Sequence, residues 1–344
     1  MADRVRLGII GCGMIGSFHA QVVQDVSSIE LVAACDIVPE KAGAVAEQYG
    51  VAAYGAIADL LAHPGLDAVS VCTPSGMHAD HGLLAARAGK HVLVEKPMDV
   101  WVEKIDELAA VCTAQGVVLG GIFQNRFPRA VQQVKTAIDD GWLGEIVFAN
   151  GSCLWLRLQA YYDSGDWRGT WALDGGVLSN QAIHTIDRLL WLVGMQPAVQ
   201  SAYCPTLARD MEAEDLGVAL LRFPNGAAGI IQGTTLANPG LTTAVTICGT
   251  KGSVVIEDNR VVYFHADGAP EGLVAVEQQG AGGASADPSA IWGGAHAANI
   301  EEFGRAILEG REPWVNAAEA RKAVQLLNDI YRAAGVGPYA TATA

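Results

Sequence analysis

The sequence predicts an α/β protein with an N-terminal doubly wound parallel sheet and a second domain built on a largely antiparallel or mixed sheet. Short apolar runs alternate with helix-like stretches up to about residue 122, whereas consecutive strand-like runs joined by turns dominate afterwards. A chain of 344 residues is also long for a single core. We therefore expect two domains, residues 1–122 and 123–344.

The first domain contains six candidate strands separated by helical patterns. The strands are 5–10, 30–36, 51–54, 67–72, 91–95 and 117–122, and helices are predicted over 16–26, 40–48, 78–88 and 102–115. Doubly wound sheets bind ligands at the carboxyl ends of their strands. The functional residues of this domain should therefore directly follow its strands.

The second domain begins with a predicted helix over 129–140, strand residues over 143–150 and 153–158, an irregular stretch at 161–171 and a helix over 177–193. Strand-like runs follow at 198–204, 215–223, 226–235, 241–248 and 252–256, and helices near 295–309 and 317–333. The stretch 280–294, rich in Gly, Ala and Ser, predicts a mobile loop, and the Ala-rich C-terminal tail is expected to fray.

Charge and apolar content exclude several classes of protein. The chain has 22 Lys and Arg against 37 Asp and Glu, a formal net charge of −15, so it offers no broad basic face to nucleic acid or an anionic membrane. No apolar run is long enough to cross a bilayer, and no apolar signal segment precedes the first strand. The seven scattered cysteines favour buried free thiols over disulfides or a zinc site. We expect a cytoplasmic globular enzyme.

The first apolar run ends in a turn with G-x-G-x-x-G spacing. The turn comprises Gly11, Gly13, Met14, Ile15 and Gly16. Between a strand and a helix, this spacing lets backbone N–H groups approach a pyrophosphate. The second apolar run ends in Asp36, 20 residues after Gly16, where a partner for the ribose hydroxyls is expected. A Gly-rich turn without a ligand is the alternative, and we interpret the pattern as a Rossmann dinucleotide site.

The fourth predicted strand is followed by a second candidate cofactor segment. Thr73 and Pro74 would pass beneath the cofactor, and Ser75 and His78 would contact its ribose or nicotinamide side. The alternative is that His78 merely begins a helix. His78 and His81 have a spacing that can hold a metal, but no carboxylate or cysteine cluster lies near them in the sequence, which disfavours a metal site.

Two further motifs have the residue types that proton transfer requires. Glu95, Lys96 and Pro97 end the fifth strand, and a lysine there can hold a substrate oxygen or carry a proton; a surface lysine at a strand exit is the alternative. In the second domain, Asn180 and His184 are four residues apart on one helix face. His184 titrates near neutral pH, which suits transfer of a hydroxyl proton as a hydride leaves or arrives.

Together these motifs resemble the Gfo/Idh/MocA family of NAD(P)-dependent sugar and inositol oxidoreductases. The Rossmann glycines, Glu95-Lys96-Pro97 and the Gly-Gly-x-Leu-x-Asn-x-x-x-His184 pattern carry the resemblance, which spans essentially the whole chain. It implies an N-terminal Rossmann domain and a C-terminal α/β domain with a large open, mostly antiparallel sheet that commonly forms the interface of dimers or tetramers. It also implies that Lys96 and His184 are catalytic, and that Gln124 and Asn125 contact nicotinamide and substrate.

One position departs from the commonest family pattern. Many members carry Asp where this chain has Asn180, and Asn cannot act as a carboxylate base. The departure disfavours the inositol-dehydrogenase mechanism and shifts proton transfer towards Lys96. The stretch 161–171, taken with Asn180 and His184, resembles a branch that acts at the 3-position of hexoses and nucleotide-linked sugars.

Arginines and aromatic residues of the second domain are candidate substrate contacts. Arg126, Arg157 and Arg168 would bind a carboxylate or phosphate, or would pair instead with local acids, namely Asp163, Asp166 and Asp174. Aromatic side chains would stack on a sugar ring or belong to the core; these are Trp155, Tyr161, Tyr162, Trp167 and Trp171.

The sequence thus predicts an NAD-dependent sugar oxidoreductase in which Lys96 and His184 handle the proton and Asn180 holds an adjacent hydroxyl. Asp36 favours NAD over NADP, because its carboxylate repels a 2′-phosphate and Lys41 is the only nearby cation. A homodimer or homotetramer with a small sugar-like substrate is expected. The alternatives are a dinucleotide-sensing regulator, a glycosidase that oxidises transiently with NAD, and a myo-inositol dehydrogenase.

Overall fold

The computed structural model describes residues 4–277 and 294–340. These residues form two compact units, one from 4–124 with 294–321 and the other from 125–277 with 322–340. The sequence predicts a second domain that continues to the C-terminus, but residues 294–321 belong to the first unit. The loop predicted for 280–294, apart from Gly294, and the tail after residue 340 lie outside the described residues.

The first unit contains a six-stranded parallel sheet. Its strands are β1 (Val5–Ile10), β2 (Ile29–Cys35), β3 (Ala52–Tyr54), β4 (Ala68–Val71), β5 (His91–Val94) and β6 (Leu119–Gly121). Their order is β3-β2-β1-β4-β5-β6, and all neighbours pair in parallel. This confirms the doubly wound Rossmann sheet. The order reverses between β1 and β4, so ligands are expected beside the loops that follow these two strands.

Five helices connect the strands of this sheet. They are α1 (Met14–Val22), α2 (Pro39–Tyr49), α3 (Ile57–Leu61), α4 (His78–Arg87) and α5 (Val102–Gln115). Four of them match predicted helices, with shifts of a few residues at their ends. The sequence does not predict α3, because five residues are too few to display a helical period.

The second unit contains a seven-stranded sheet. Its strands are β7 (Ile146–Leu154), β8 (Ala198–Tyr203), β9 (Leu216–Arg222), β10 (Ala228–Thr234), β11 (Thr243–Gly249), β12 (Gly252–Glu257) and β13 (Arg260–Ala266). In the order β13-β12-β11-β7-β10-β9-β8, every neighbouring pair is antiparallel except β7 with β10. The mostly antiparallel sheet is confirmed. The strand predicted to reach Leu158 ends at Leu154, and β13 is a strand that the sequence analysis missed.

Helices cover one face of the second sheet. The described helices up to residue 193 are α6 (Arg129–Asp139), α7 (Gln159–Tyr162), α8 (Val177–Asn180) and α9 (Ile183–Val193). The single helix predicted over 177–193 is wrong, because Gln181 and Ala182 separate α8 from α9. At Gly151 in β7, a Cβ would lie 3.1 Å from the Thr185 side chain, so glycine lets α9 pack closely on the sheet. His184 is the second residue of α9.

The next helix, α10 (Gly294–Glu309), returns to the first unit and is followed by α11 (Ala317–Ala334). Ile300 and Phe303 on α10 are fully buried. The Asn299 side chain accepts the Phe123 N–H at 2.9 Å and donates to the Gly121 carbonyl at 3.2 Å. These bonds join residues about 180 positions apart, which explains why local sequence patterns did not assign α10 to the first unit.

No helix in the described part of the chain combines the length and the apolar character needed to span a membrane. All seven cysteines are free thiols, and six are buried, as the sequence predicts. Burial raises the pKa of Cys12, Cys112 and Cys204 to about 12, so these three thiols remain protonated at neutral pH.

Candidate functional site

A glycine turn joins β1 to α1. Gly11 has a φ of +91°, and a Cβ there would lie 2.7 Å from the Cys72 carbonyl oxygen. A Cβ at Gly16 would lie 1.8 Å from the Gly11 carbonyl oxygen, so both positions require glycine. A Cβ at Gly13 would meet nothing within 4 Å, which leaves room beside the N-terminus of α1. This turn fits the pyrophosphate of a dinucleotide, which helix N–H groups bind.

Asp36 directly follows β2 and is hydrogen-bonded to the glycine turn. Its Oδ2 accepts the Cys12 N–H and its Oδ1 accepts the Val38 N–H, both at 2.8 Å. The carboxylate is half-buried, and each oxygen keeps a further lone pair. This arrangement fits ribose hydroxyls at the predicted position. Of the two residues between the last glycines, Met14 is exposed, whereas Ile15 packs against the core of the unit.

His78 anchors the segment that follows β4. Its Nδ1 lies 2.7 Å from the Pro97 carbonyl oxygen and its Nε2 lies 2.7 Å from the Thr73 carbonyl oxygen. Burial lowers the pKa of His78, against the effect of the two carbonyls. Because both ring nitrogens contact the backbone, His78 links the segments after β4 and β5. It has no nitrogen left for the predicted cofactor contact.

The other predicted residues after β4 lie next to His78. The Thr73 hydroxyl lies 3.0 Å from His81 Nδ1, Pro74 follows Thr73, and Ser75 begins a short 3₁₀ turn and is buried. Neither His78 nor His81 belongs to a group of three close metal-ligand atoms among the described residues.

Glu95 is a buried carboxylate after β5. Its Oε1 lies 3.0 Å from His19 Nε2 and 3.8 Å from His296 Nε2, and its Oε2 accepts the Lys96 N–H at 2.8 Å. Burial alone would raise the pKa of Glu95, but His19 holds it well below its ordinary value. Burial also opposes charge on His19, yet Cys72 and Glu95 raise the pKa of His19. Burial lowers the pKa of His296 to about 4, so His19 and Glu95 form an ion pair beside a neutral imidazole.

This ion pair holds the backbone of Lys96. Lys96 is half-buried and is joined to Pro97 by a cis peptide bond. The roles of His19 and His296 were not predicted from the sequence. For His19 the available signal was spacing: it lies three residues after Gly16, so both lie on one buried face of α1.

Gln124 and Asn125 lie in a short turn after β6. The Oε1 of Gln124 and the Oδ1 of Asn125 are buried, and neither has a hydrogen-bond partner among the described residues. Buried acceptors without donors are costly. Ligand N–H or O–H groups would satisfy them, as the carboxamide of nicotinamide or a substrate hydroxyl can.

Arg126 is part of a buried ion pair. Its Nε and Nη2 donate to the two carboxylate oxygens of Asp187 at 2.9 and 2.6 Å, and both side chains are buried. The guanidinium also lies 5.6 Å from the Trp191 ring centroid. Asp187 therefore occupies the Nε–Nη2 edge of the Arg126 guanidinium and joins it to α9, as the alternative of an ion pair with an acid predicts. Binding of substrate by Arg126 stays a prediction.

Asp174 orients the amide of Asn180 at the end of α8. Asn180 Nδ2 donates to Asp174 Oδ1, and Asn180 Oδ1 accepts Gln181 Nε2 at 3.2 Å. Because a carboxylate only accepts, the amide nitrogen must face Asp174 and the oxygen must face away. Asp174 also accepts the Gly169 N–H at 2.9 Å. From the sequence, Asp174 was predicted only as a partner for arginines, whereas the structure places it against Asn180.

Three predicted substrate residues lie around one tyrosine. The guanidinium carbons of Arg157 and Arg168 lie 5.5 and 4.3 Å from the Tyr161 ring centroid. Trp167 also lies close to Arg168, with its ring centroid 4.5 Å from the guanidinium carbon. His184 is half-buried in the same unit.

Both parts of the chain match models of known protein families. Residues 5–123 match the oxidoreductase family with an NAD-binding Rossmann fold, and residues 131–255 match the GFO/IDH/MocA C-terminal domain. The first unit thus carries an NAD-binding domain, in agreement with its glycine turn and Asp36.

Individual relatives are sugar and inositol dehydrogenases. The chain is 31% identical over 268 residues to inositol 2-dehydrogenase of Rhizobium meliloti, which covers 75% of this chain and 77% of the relative. It is 34% identical over 199 residues to D-glucoside 3-dehydrogenase of Escherichia coli, covering 57% and 56% of the two chains. The WlbA dehydrogenase of Bordetella pertussis, solved in complex with NADH and UDP-GlcNAcA, is similar with a TM-score of 0.85 at 35% identity over 96% of both chains.

We predict that Glu95→Gln lowers the free energy of unfolding by about 3–5 kcal/mol, because it leaves a buried imidazolium without its counter-charge. The raised pKa of His19 in the native state contributes free energy of unfolding that is fully present below about pH 6.5 and is lost as the pH rises towards that pKa. The lowered pKa of Glu95 contributes free energy of unfolding that is fully present above about pH 4.3. The free energy of unfolding that Glu95→Gln loses should therefore be largest near pH 5–6 and smaller near pH 8–9. Urea unfolding at these pH values measures it.

Glu107→Gln is the matched control, because Glu107 forms an exposed ion pair with Arg87 at 3.5 Å. This variant should lose less than about 1 kcal/mol at every pH. An equally small, pH-independent loss in Glu95→Gln would contradict the buried ion pair.

Proposed function

This chain belongs to the Gfo/Idh/MocA family of oxidoreductases, and on that basis we propose that it transfers a hydride between NAD and a ring carbon of a sugar or sugar derivative. The supporting observation is the position of Lys96. It follows β5 at the carboxyl edge of the sheet that bears the glycine turn, and Glu95 holds its backbone. A half-buried ammonium at that edge can bind the oxygen of the reacting carbon.

The residues divide the chemistry between them. NAD, when bound, supplies a nicotinamide that accepts or gives a hydride. Lys96 binds the oxygen of the reacting carbon and stabilises its negative charge as the proton leaves. His184 takes or returns the hydroxyl proton, and Asn180 Oδ1 accepts a hydrogen bond from an adjacent hydroxyl. Gln124 and Asn125 bind the nicotinamide amide and the substrate through their buried oxygens.

The carboxylate of Asp36 supports a preference for NAD over NADP. Ile37 and Val38, which follow it, are exposed and uncharged, so neither offers a phosphate partner. The prediction is that Asp36→Ser raises kcat/KM with NADP, relative to NAD, by about 10-fold or more, because one negative charge beside the 2′-phosphate is removed. Initial rates with both cofactors measure the ratio. The control Asp25→Ser, at an exposed site, should leave the ratio of kcat/KM with NADP to that with NAD unchanged. An unchanged ratio in Asp36→Ser would contradict the role of Asp36 in selecting NAD.

Inositol oxidation is the second candidate function. Identity with inositol 2-dehydrogenase over three quarters of the chain favours it, whereas the similarity to WlbA, solved with UDP-GlcNAcA, favours a nucleotide-linked sugar. Asn180 in place of the commoner Asp favours the sugar. The substrate panel below separates the two.

Turnover by the Lys96→Ala variant tests the proposal. NADH formation is followed by fluorescence with sugars, inositols, sugar acids and nucleotide sugars. We expect one substrate group to give a signal, and Lys96→Ala to lower kcat/KM by about 100-fold or more with NADH binding retained. Lys135→Ala, which removes a surface lysine paired with Asp139, is the control and should keep full activity.

Three outcomes would contradict the proposal or redirect it. Saturable NAD binding without turnover of any panel member would indicate the dinucleotide-sensing regulator. Release of the aglycone from an aryl glycoside without net NADH would indicate the glycosidase. Full activity of Lys96→Ala would exclude the assigned role of the lysine.

The second sheet supports a homodimer or homotetramer. In β9, Ala219 and Leu221 are buried on the side of the covering helices, whereas Val218 and Leu220 are exposed on the other face. Strand pairing places Ile230, Asn150, Thr246, Val255 and Tyr263 on the same open face as Leu220. An open sheet face with apolar residues suits association of two copies.

We predict a dimer or tetramer by light scattering at micromolar concentration. Leu220→Asp should lower the mass with an unchanged circular dichroism spectrum, because it introduces a charge on the open face. Leu308→Asp, at an exposed position on α10, is the control and should keep the wild-type mass. A monomeric wild-type protein would contradict the proposed association.

A further inference from the structure

The buried side chain of Glu214 holds the start of α8 in the second unit. Glu214 lies just before β9 and is fully buried. Its Oε1 accepts the Leu178 N–H at 2.9 Å, and its backbone carbonyl accepts the Val177 N–H, also at 2.9 Å. The first N–H groups of a helix have no partner within the helix, and Glu214 satisfies two of them. Its side chain and its main chain together therefore fix where α8 begins.

Glu214 is bonded to α11 as well as to α8. The Tyr331 hydroxyl on α11 donates to Oε1 at 2.8 Å, so this oxygen accepts two hydrogen bonds. On the side of α8, a Cβ at Gly176 would lie 2.1 Å from both the carbonyl oxygen and Oε2 of Glu214. Glycine therefore lets the helix start pack against the carboxylate. Because the packing is this close, the hydrogen bonds of Glu214 act directly on the position of α8.

The carboxylate of Glu214 has no counter-charge in the part of the chain that the structure describes. There, its Oε2 has no hydrogen-bond partner and neither oxygen pairs with a Lys, Arg or His side chain. None of the titratable side chains around it carries a positive charge in any protonation state. They are Asp174 before α8, Tyr331 on α11, Cys204 after β8 and Tyr162 on α7. Burial raises the pKa of Glu214 to about 7, and the hydrogen bonds that its carboxylate accepts oppose this rise only in part.

The other end of α8 is Asn180, whose amide Asp174 orients. Because α8 has only four residues, the Asn180 N–H bonds directly to the Gly176 carbonyl, at 3.0 Å. The Ser179 hydroxyl donates to the Asp174 carbonyl at 2.7 Å. One helical turn therefore separates the N–H groups that Glu214 holds from the amide of Asn180.

We propose that Glu214 is a positioning residue, whose ionised carboxylate sets the position of α8 and thereby that of the Asn180 amide. The inference rests on the proposed function, because that function gives Asn180 its contact with a sugar hydroxyl. Hydrogen bonds to an ionised acceptor are about twice as strong as those to a neutral one. The charged form of Glu214 therefore holds α8 more firmly than the protonated form. Sugar binding accordingly strengthens as the pH rises and Glu214 ionises.

NMR of the NADH-loaded protein tests the link from Glu214 to Asn180 without a substrate. The methyl signals of Leu178 and the side-chain amide signals of Asn180 are followed from about pH 5.5 to about pH 8.5. Both should show a titration step with a midpoint near pH 7. Glu214→Gln keeps an oxygen that can accept from Leu178 and Tyr331 but cannot ionise, so it should abolish this step.

Tyr331→Phe is a second variant, and it keeps the carboxylate. It removes a hydroxyl that donates to Oε1 and favours the charged form, so the midpoint should rise by about one pH unit. The matched control is Glu271→Gln, which removes an exposed carboxylate of the same unit and should leave the titration as in the wild type. The wild-type titration and its shift in Tyr331→Phe also stand if Glu214→Gln is unstable.

Sugar affinity is the readout that a merely structural carboxylate would not move. Calorimetry of the NADH-loaded protein uses UDP-glucose and myo-inositol, one probe for each candidate function. The wild type should bind its probe about 10-fold more tightly than Glu214→Gln does near pH 8.5, and equally tightly near pH 5.5. Lys96 and His184 are present in both proteins, so the ratio of the two affinities isolates the titration of Glu214.

The outcomes separate this proposal from the proposed function. The proposal is overturned if the wild type shows no titration step at Leu178 and Asn180, or if the step persists in Glu214→Gln. An affinity ratio that is the same at both pH values also overturns it. The expected titration without NADH formation from any substrate would leave the positioning of α8 by Glu214 assigned and contradict the proposed redox function.

Discussion

The ion pair between Glu95 and His19 is the interaction on which the arrangement of the first unit depends. Glu95 follows β5 and His19 lies on α1, so one contact joins the helix of the glycine turn to the strand end that carries Lys96. Desolvation of two charges is costly, and the remaining polar atoms must be satisfied. Ser70 lies 2.9 Å from the other imidazole nitrogen, and the Lys96 N–H binds the other carboxylate oxygen. These bonds offset part of the desolvation cost of the buried pair and fix its geometry.

Features that depend on neighbouring residues in the sequence could be predicted. The apolar run of β1, the glycine spacing and the acid after β2 each depend on a few neighbouring residues, and the structure brings Asp36 to the glycine turn. The strand end at Glu95-Lys96-Pro97 was recognisable for the same reason. Short or interrupted elements were less visible: α3 spans little more than one turn, and two residues between α8 and α9 do not disturb the apolar period.

Pairings between distant residues were not predictable. Arg126 meets Asp187 61 positions later, and His19 meets Glu95 76 positions later. A charged residue in an acidic chain has many candidate partners in the sequence, and only the fold selects one. The same limitation applies to His78, since its two carbonyl partners come from different strand ends. The sequence thus predicted which residue types belong to the candidate site, but not which of these residues form structural ion pairs and hydrogen bonds.

The fixed amide of Asn180 has a consequence for reversibility. Asp174 accepts one of the two N–H groups of this amide, which fixes the orientation of the amide and directs its oxygen towards proton donors. In the proposed reaction, a hydroxyl beside the reacting carbon is such a donor in both the alcohol and the ketone, whereas the ketone oxygen itself is not. The hydrogen bond from that hydroxyl to Asn180 would therefore be the same in the alcohol and in the ketone. In the proposed reaction, such a contact would favour neither the alcohol nor the ketone, and so would not bias the direction of hydride transfer.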